Sequence, residues 1–243
     1  MKILVCITHV PDTTSKIQFT DNNTQFDKNG VQFIIGPYDD YALARAVELK
    51  AESNGSITVL NVGEAETEPT LRKALAIGAD EAVRINAFPK DAHFVAKQIA
   101  AFSKDNGYDL ILMGRESIDF NGGMVHGMVG ELIGIPSLSP VMKLEIEGGK
   151  GKLSREIEDG KEFIEVDLPF VAGCQEPIAE WKIPNMRGIM SARTKPLTVK
   201  DPVEDSAPTA VKSYELPPAK GAVKLVDNVD QLVDLLKNDA KIL

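Results

Sequence analysis

The chain has 243 residues, 43% of them hydrophobic, enough for one large domain or one domain with a substantial extension, and no apolar run approaches the ~18 residues that a membrane-spanning helix needs. With 36 acidic against 27 basic residues the net charge is −9, which argues against a general affinity for the phosphate backbone of nucleic acids. The only cysteines, Cys6 and Cys174, lack metal-ligand or disulfide spacing, so no metal site is expected and a reducing cytoplasm fits best.

Met1-Lys2 leads directly into Ile3-Leu4-Val5-Cys6-Ile7, too short for the core of a signal peptide, and residues 3–8 read as a first strand. A protruding hairpin is expected from residues 16–20 and 31–35, which flank an Asp/Asn/Gly-rich stretch. Further strands are expected at 57–62, 82–85 and 110–113, each nearly all apolar, as parallel strands covered on both faces are. Three helices lie between them, with apolar positions three and four apart: Leu43, Ala46 and Val47; Leu71, Ala74 and Leu75; Phe94, Val95, Ile99 and Phe102. Pro37 suits a first helical turn, and Gly78 and Asn106-Gly107 suit helix ends. The alternation over residues 1–136 predicts an α/β fold with a Rossmann-like parallel sheet. From 144 to 170 the period changes to two, with turns at 148–151 and 158–160, so an antiparallel extension is expected. Residues 1–196 thus form a nucleotide-binding α/β domain, and 197–243 a C-terminal arm. The arm's prolines at 202, 208, 217 and 218 predict an extended run, and its terminal helix carries Val229, Leu232, Val233 and Leu236 as a stripe that must be buried on its own domain or on a partner.

The most informative stretch is residues 108–136: a strand, the loop Gly114-Arg115-Glu116-Ser117-Ile118-Asp119-Phe120, then Asn121-Gly122-Gly123 opening a helix that stops at Gly134. A helix starting just past the carboxyl end of a parallel strand offers unpaired N–H groups and a positive dipole end to an anion. Gly122 and Gly123 let a phosphate reach the backbone, while Asp119 or the Asn121 amide can bond sugar or phosphate groups. On local chemistry alone the plainer reading, a crossover helix capped by Asn121, is favoured. Gly36-Pro37-Tyr38-Asp39-Asp40 opens another helix, but Asp39 and Asp40 already answer its positive end and repel a phosphate; a nucleotide there meets the loop with its base or ribose, or stacks a ring on Tyr38. Catalytic constellations are scarce: His9, His93 and His126 have no paired spacing, and there is no nucleophile elbow, Walker sequence or complete GxGxxG. Cys6 ends a buried strand and suits the core better than a nucleophile's role.

Taken together these landmarks resemble the beta subunit of electron transfer flavoprotein from Met1 to about Leu197. The resemblance is carried by Lys2-Ile3-Leu4-Val5-Cys6-Ile7 with Asp12, by Gly36-Pro37-Tyr38-Asp39, by Thr70-Leu71-Arg72-Lys73-Ala74-Leu75-Ala76-Ile77-Gly78-Ala79-Asp80, by Gly114 through Pro136, and by Met186 through Leu197. It implies the adenine nucleotide alpha hydrolase-like version of the fold and no enzymatic activity. It further implies a heterodimer whose alpha subunit holds most of an FAD while the beta subunit binds a structural AMP. Electrons come from flavin dehydrogenases such as the acyl-CoA dehydrogenases of fatty acid oxidation, and in some branches from ferredoxin or NADH, and pass to a quinone oxidoreductase or another acceptor. By position, the resemblance places cofactor contacts at Cys6, Gly36, Pro37, Tyr38, Asp39, Val62, Gly114, Arg115, Ser117, Ile118, Asp119, Asn121, Gly122, Gly123, Met124 and Val125. Tyr38 matches an aromatic that approaches the flavin. Met186 matches an apolar anchor for partner dehydrogenases, with Arg187, Ile189, Met190 and Arg193 in the same basic segment.

Where the family usually has three aspartates and Asn-Gln-Thr-Gly-Gln, this chain has Asp119-Phe120-Asn121-Gly122-Gly123-Met124-Val125-His126-Gly127, so a hydroxyl on phosphate is lost at Val125. Bifurcating members, which hold a second FAD in place of AMP, resemble this chain in having Val there and differ at the neighbours. AMP is favoured because the Gly-Gly amides still cradle one phosphate. The rival from another class is a stand-alone ATP-binding stress or signalling domain, whose Gly-rich triphosphate loop is absent here. For a nucleotide hydrolase, no placed base or metal cluster stands in the sequence.

Overall fold

A computed structural model describes all residues, 1–243. In chain order the elements are β1 (Lys2–Cys6), β2 (His9–Pro11), β3 (Phe19–Thr20), β4 (Gln25–Phe26), β5 (Phe33–Ile35), α1 (Pro37–Ser53), β6 (Ser56–Val62), α2 (Glu68–Ile77), β7 (Glu81–Ile85), α3 (Ala92–Asn106), β8 (Leu110–Gly114), α4 (Val125–Ile133), β9 (Ser137–Glu147), β10 (Lys150–Ile157), β11 (Gly160–Asp167), β12 (Phe170–Cys174), α5 (Met186–Ala192), β13 (Leu197–Lys200) and α6 (Val229–Asp234). Nine strands form one sheet in the order β11-β10-β9-β12-β8-β1-β6-β7-β13. The α/β fold expected from the apolar runs is present.

Alternation along each central strand sends neighbouring side chains to opposite faces, and helices cover both. Ile3 and Val5 pack with Leu43, Ala46, Leu71 and Leu75 of α1 and α2. Leu4 and Cys6 pack on the other side with Phe94, Ile99 and Phe102 of α3 and Val129 of α4. The helix ends follow the expected chemistry. Pro37 opens α1, Asp91 caps α3 by accepting from the Phe94 N–H, and Gly107 and Gly134 close α3 and α4 in the left-handed conformation.

The chain runs from β1 outward through β6 and β7, then returns to place β8 on the other side of β1. That reversal opens a crevice at the carboxyl ends of β1 and β8, where ligands of open α/β sheets bind. No helix is long and apolar enough to cross a membrane.

Three segments differ from expectation. The region after β1 forms two small ladders, β2 with β5 and β3 with β4, in place of one hairpin. Asp21, Asn22 and Asn23, all at positive φ, make the tight turn between β3 and β4. The antiparallel extension begins earlier, because β9 pairs in parallel with β12 through Ser137 and Leu138 before it turns to pair antiparallel with β10. β12 then inserts between β9 and β8, so the end of the meander lies inside the parallel sheet. The arm starts as a strand: β13 pairs in parallel with β7 at the sheet edge. It continues along its own domain, where Gln98 exchanges hydrogen bonds with the Val203 backbone, Lys97 holds Asp205 at 2.7 Å, Thr209 bonds Asp91, and Tyr214 stacks on Phe19. Beyond that the apolar side chains stand largely uncovered. Val229 is 72% exposed, Leu232 and Val233 are close to half exposed and Leu236 is partly buried, so the stripe of α6 is only partly covered within this chain.

Candidate functional site

Two helix starts face the crevice, neither capped by a side chain, and they differ in charge: α1 carries Asp39 and Asp40 in its first turn, and α4 carries no acid. At α1, Asp39 is 3% exposed and reaches across the crevice floor. One oxygen accepts from the Thr8 N–H at 2.8 Å and the Thr8 hydroxyl at 2.6 Å, and the other from the Gly114 N–H at 2.7 Å. One carboxylate thereby ties together the chain leaving β1, the start of α1 and the end of β8. Burial pushes its pKa up to about 6 against the pull of those three donors. A Cβ on Gly114 would come within 2.7 Å of both Asp39 Oδ1 and Tyr38 Cβ, so that closeness requires glycine.

Beside this clamp the Arg115 guanidinium lies 4.9 Å over the Tyr38 ring and donates to Gln175 Oε1 and Glu116 Oε1, each at 2.9 Å. Gln175, itself buried, donates to Glu156 Oε2 at 2.8 Å, which links the crevice to β10 of the extension. Cys6 and Val62 end β1 and β6 at the crevice floor, almost fully buried. Burial, with Asp39 nearby, pushes both the Cys6 and Cys174 thiols up, so they stay protonated. No group of three or more His, Cys, Asp or Glu is placed to hold a metal ion.

At α4 the arrangement is the opposite. Asn121 does not cap it: its φ is +49°, its own N–H donates to the Ser117 carbonyl at 2.7 Å, and the helix starts four residues later at Val125. Met124 occupies the N-cap position, no side chain caps the first turn, and no acid stands in it. The Ser117 hydroxyl and the Phe120 N–H both bond Asp119, which shapes the loop. Gly122 and Gly123 are exposed, with Gly123 at φ +58°. The first N–H groups of α4 therefore have no capping side chain and no acid beside them.

The residues expected to dock partners lie elsewhere, on α5 and at its end, and α5 packs against α2. Gly188 rests on the Ala76 carbonyl with no room for a Cβ. Arg72 donates to the Ala192 and Lys195 carbonyls, both at 2.8 Å, and Lys195 donates to those of Leu75 and Ala79. The Thr70–Asp80 motif is thus in part the seat of α5. Met186 is 74% exposed and Met190 67%, with Arg187, Ile189 and Arg193 also at the surface. Trp181 and Ile183, a few residues before Met186, are exposed apolar side chains as well and were not expected from the sequence, where the signal was Ile183 next to Pro184 in a short stretch without periodicity. Arg72 and Gln175 were likewise not singled out as contacts.

The electron transfer flavoprotein domain matches residues 23–205. The chain belongs to the electron transfer flavoprotein family, among its beta subunits. It is 36% identical to the electron transfer flavoprotein subunit beta of Bacillus subtilis, over the whole of both chains. It is 31% identical to that of Syntrophomonas wolfei, over all of this chain and 98% of the relative. It is also 31% identical, over 93% of this chain and 92% of the relative, to the caffeyl-CoA reductase-Etf complex subunit CarD of Acetobacterium woodii. Members of the family are electron carriers rather than enzymes.

Proposed function

We propose that this chain is the nucleotide-binding half of a cytoplasmic, heterodimeric electron carrier. It holds a structural AMP in the crevice, closes one side of an FAD borne by an alpha subunit, and docks flavin dehydrogenases through α5. The observation that carries the reading is the uncapped, acid-free first turn of α4 at the reversal point of the sheet. Free N–H groups, a positive helix end and two glycines fit one phosphate monoester. The α1 start, filled by Asp39 and Asp40, suits the base or ribose.

The flavin, when bound, supplies the one- and two-electron exchange. This chain's residues bind and orient. Tyr38, backed by Arg115, presents a flat face for stacking, and the Arg115-Gln175-Glu156 chain fixes that pair to the extension. Met186, Ile189 and Met190, flanked by Arg187 and Arg193, give an apolar anchor in a basic rim, suited to a transient contact with an acidic partner surface. The partly exposed stripe of α6 fits the alpha subunit as the rest of its cover. Electrons leave toward a quinone oxidoreductase.

A second reading, a bifurcating-type subunit with a second FAD in place of AMP, is favoured by one residue, the apolar Val125 where the family usually has a hydroxyl. Co-expression with the alpha subunit, denaturation and quantification of released small molecules tests both. One FAD and one AMP per heterodimer is the expected result. Two FAD and no AMP establishes the second reading, and a colourless homodimer carrying ATP overturns both.

A further inference from the structure

His126 is the second residue of α4, and helical side chains lean back toward the helix N-terminus, which brings its ring over the 122–124 turn. Its Nδ1 lies 3.3 Å from the Ser137 hydroxyl at the start of β9. Its Cδ2 rests on the bare backbone of β12, where a Cβ added to Gly173 would come to 3.0 Å from it. On the helix side Gly130 makes room for Ser137, since a Cβ there would come to 2.8 Å from the Ser137 Cβ. The same Cβ at Gly173 would come to 2.5 Å from Ser139 Oγ, so two glycines on two elements form a slot for His126, Ser137 and Ser139 together. Burial lowers the pKa of the ring, with the Gly123 carbonyl beside it pulling the other way. A neutral imidazole therefore sits at the positive helix end, where an imidazolium would be repelled.

We infer that His126 is a positioning residue of the nucleotide site: pinned to Ser137 and Gly173, it holds the Gly122-Gly123 turn and the first turn of α4 in the shape that a phosphate requires. Asp91, Asn185 and Asn228 cap α3, α5 and α6 by their own side chains; α1, α2 and α4 have no such cap, and of these three only α4 also lacks an acid in its first turn. A capping side chain would occupy the N–H groups that a ligand needs. Bracing from behind orders the turn and leaves them free. The inference rests on the nucleotide reading above and deepens it.

The test uses the nucleotide-stripped heterodimer and titration calorimetry with AMP for wild type, His126→Ala, His126→Phe and His126→Asn. His126→Ala and His126→Phe are expected to bind AMP about tenfold more weakly, the cost of ordering a loop that wild type holds in advance. His126→Asn, which keeps an amide near the position of Nδ1, is expected to recover most of the loss. Wild-type affinity in His126→Ala or His126→Phe overturns the inference, as does a loss fully matched by a fall in the melting temperature of the ligand-free protein. Amide hydrogen exchange of residues 115–125 in the nucleotide-free heterodimer separates this from failure of the AMP reading. Faster exchange in His126→Ala supports the brace even where wild type takes no AMP, and unchanged exchange overturns it.

Discussion

The starts of α1 and α4 face one crevice, yet one is closed and the other open. At α1 the aspartates are part of the sequence's own first turn, and Asp39 is drawn inside to bind three donors from two strand ends. At α4 no acid stands in the first turn, and the residues before it are glycine and methionine. Neither start is capped by a side chain, so what separates them is charge: two acids answer the positive end of α1, and no side chain answers that of α4. The contrast separates a helix start whose positive end is already answered from one that an anion can still approach.

The comparison breaks first at Asp39. Removing the carboxylate in Asp39→Ala strands two N–H groups and a hydroxyl in a buried place, which is expected to cost roughly 3–5 kcal/mol of unfolding free energy. Chemical denaturation of the purified protein measures it. A loss below about 1 kcal/mol would show that α1 is as open as α4.

Protonation of the same carboxyl acts in the opposite sense, because burial favours its neutral form. Asp39 has a folded pKa near 6 against an ordinary 3.8, so the folded state binds the proton more tightly. Its contribution to stability is fully present below 3.8 and is lost as pH rises through about 6. Compared with Asp39→Asn, which does not titrate, wild type is expected to lose stability between about pH 4 and 6.5. The loss amounts to at most about 3 kcal/mol, at 1.36 kcal/mol for each of roughly two pH units. Parallel stability curves for the two proteins would contradict the buried setting of this group.

A smaller effect sharpens the geometry. In Gly114→Ala the added methyl meets Asp39 Oδ1 and the Cβ of Tyr38, and overpacking of that kind costs about 1–3 kcal/mol. Because the collision falls on the Asp39 and Tyr38 side and leaves the first turn of α4 alone, the urea midpoint is expected to fall while His126 and Ser137 keep their contact.

The four expected parallel strands and three helices were legible because their signals are local: apolar period, proline at a start, glycine at an end. What depends on distant partners was not. Nothing near residues 170–174 tells that they pair with β8, and nothing near 197–200 tells that they close the far edge beside β7. The misplaced start of α4 has a particular cause. Asn121 is a good cap by composition, but in the left-handed conformation, with its N–H turned to the Ser117 carbonyl, it belongs to the preceding turn. Asp39 looked like a simple dipole partner in the sequence. Its role as a tie depends on Thr8 and Gly114, 31 and 75 residues away.

The smallest change acts on the open side. Val125 is the first residue of α4, and its partly buried side chain packs against the cluster around Phe94 and Val129. Val125→Thr keeps the branched shape and adds a hydroxyl in the turn whose N–H groups are free. A hydroxyl hydrogen bond to a bound phosphate is worth about 0.5–1.5 kcal/mol net, so AMP affinity is expected to rise by roughly two- to tenfold with little change in stability. The same substitution discriminates the two cofactor readings, because a chain built for AMP gains from the hydroxyl, whereas one built for a second FAD keeps its FAD content and takes up no AMP. An AMP affinity that does not move would mean that the backbone donors of α4 alone hold the phosphate, and that the loss of the hydroxyl in this chain carries no information about the ligand.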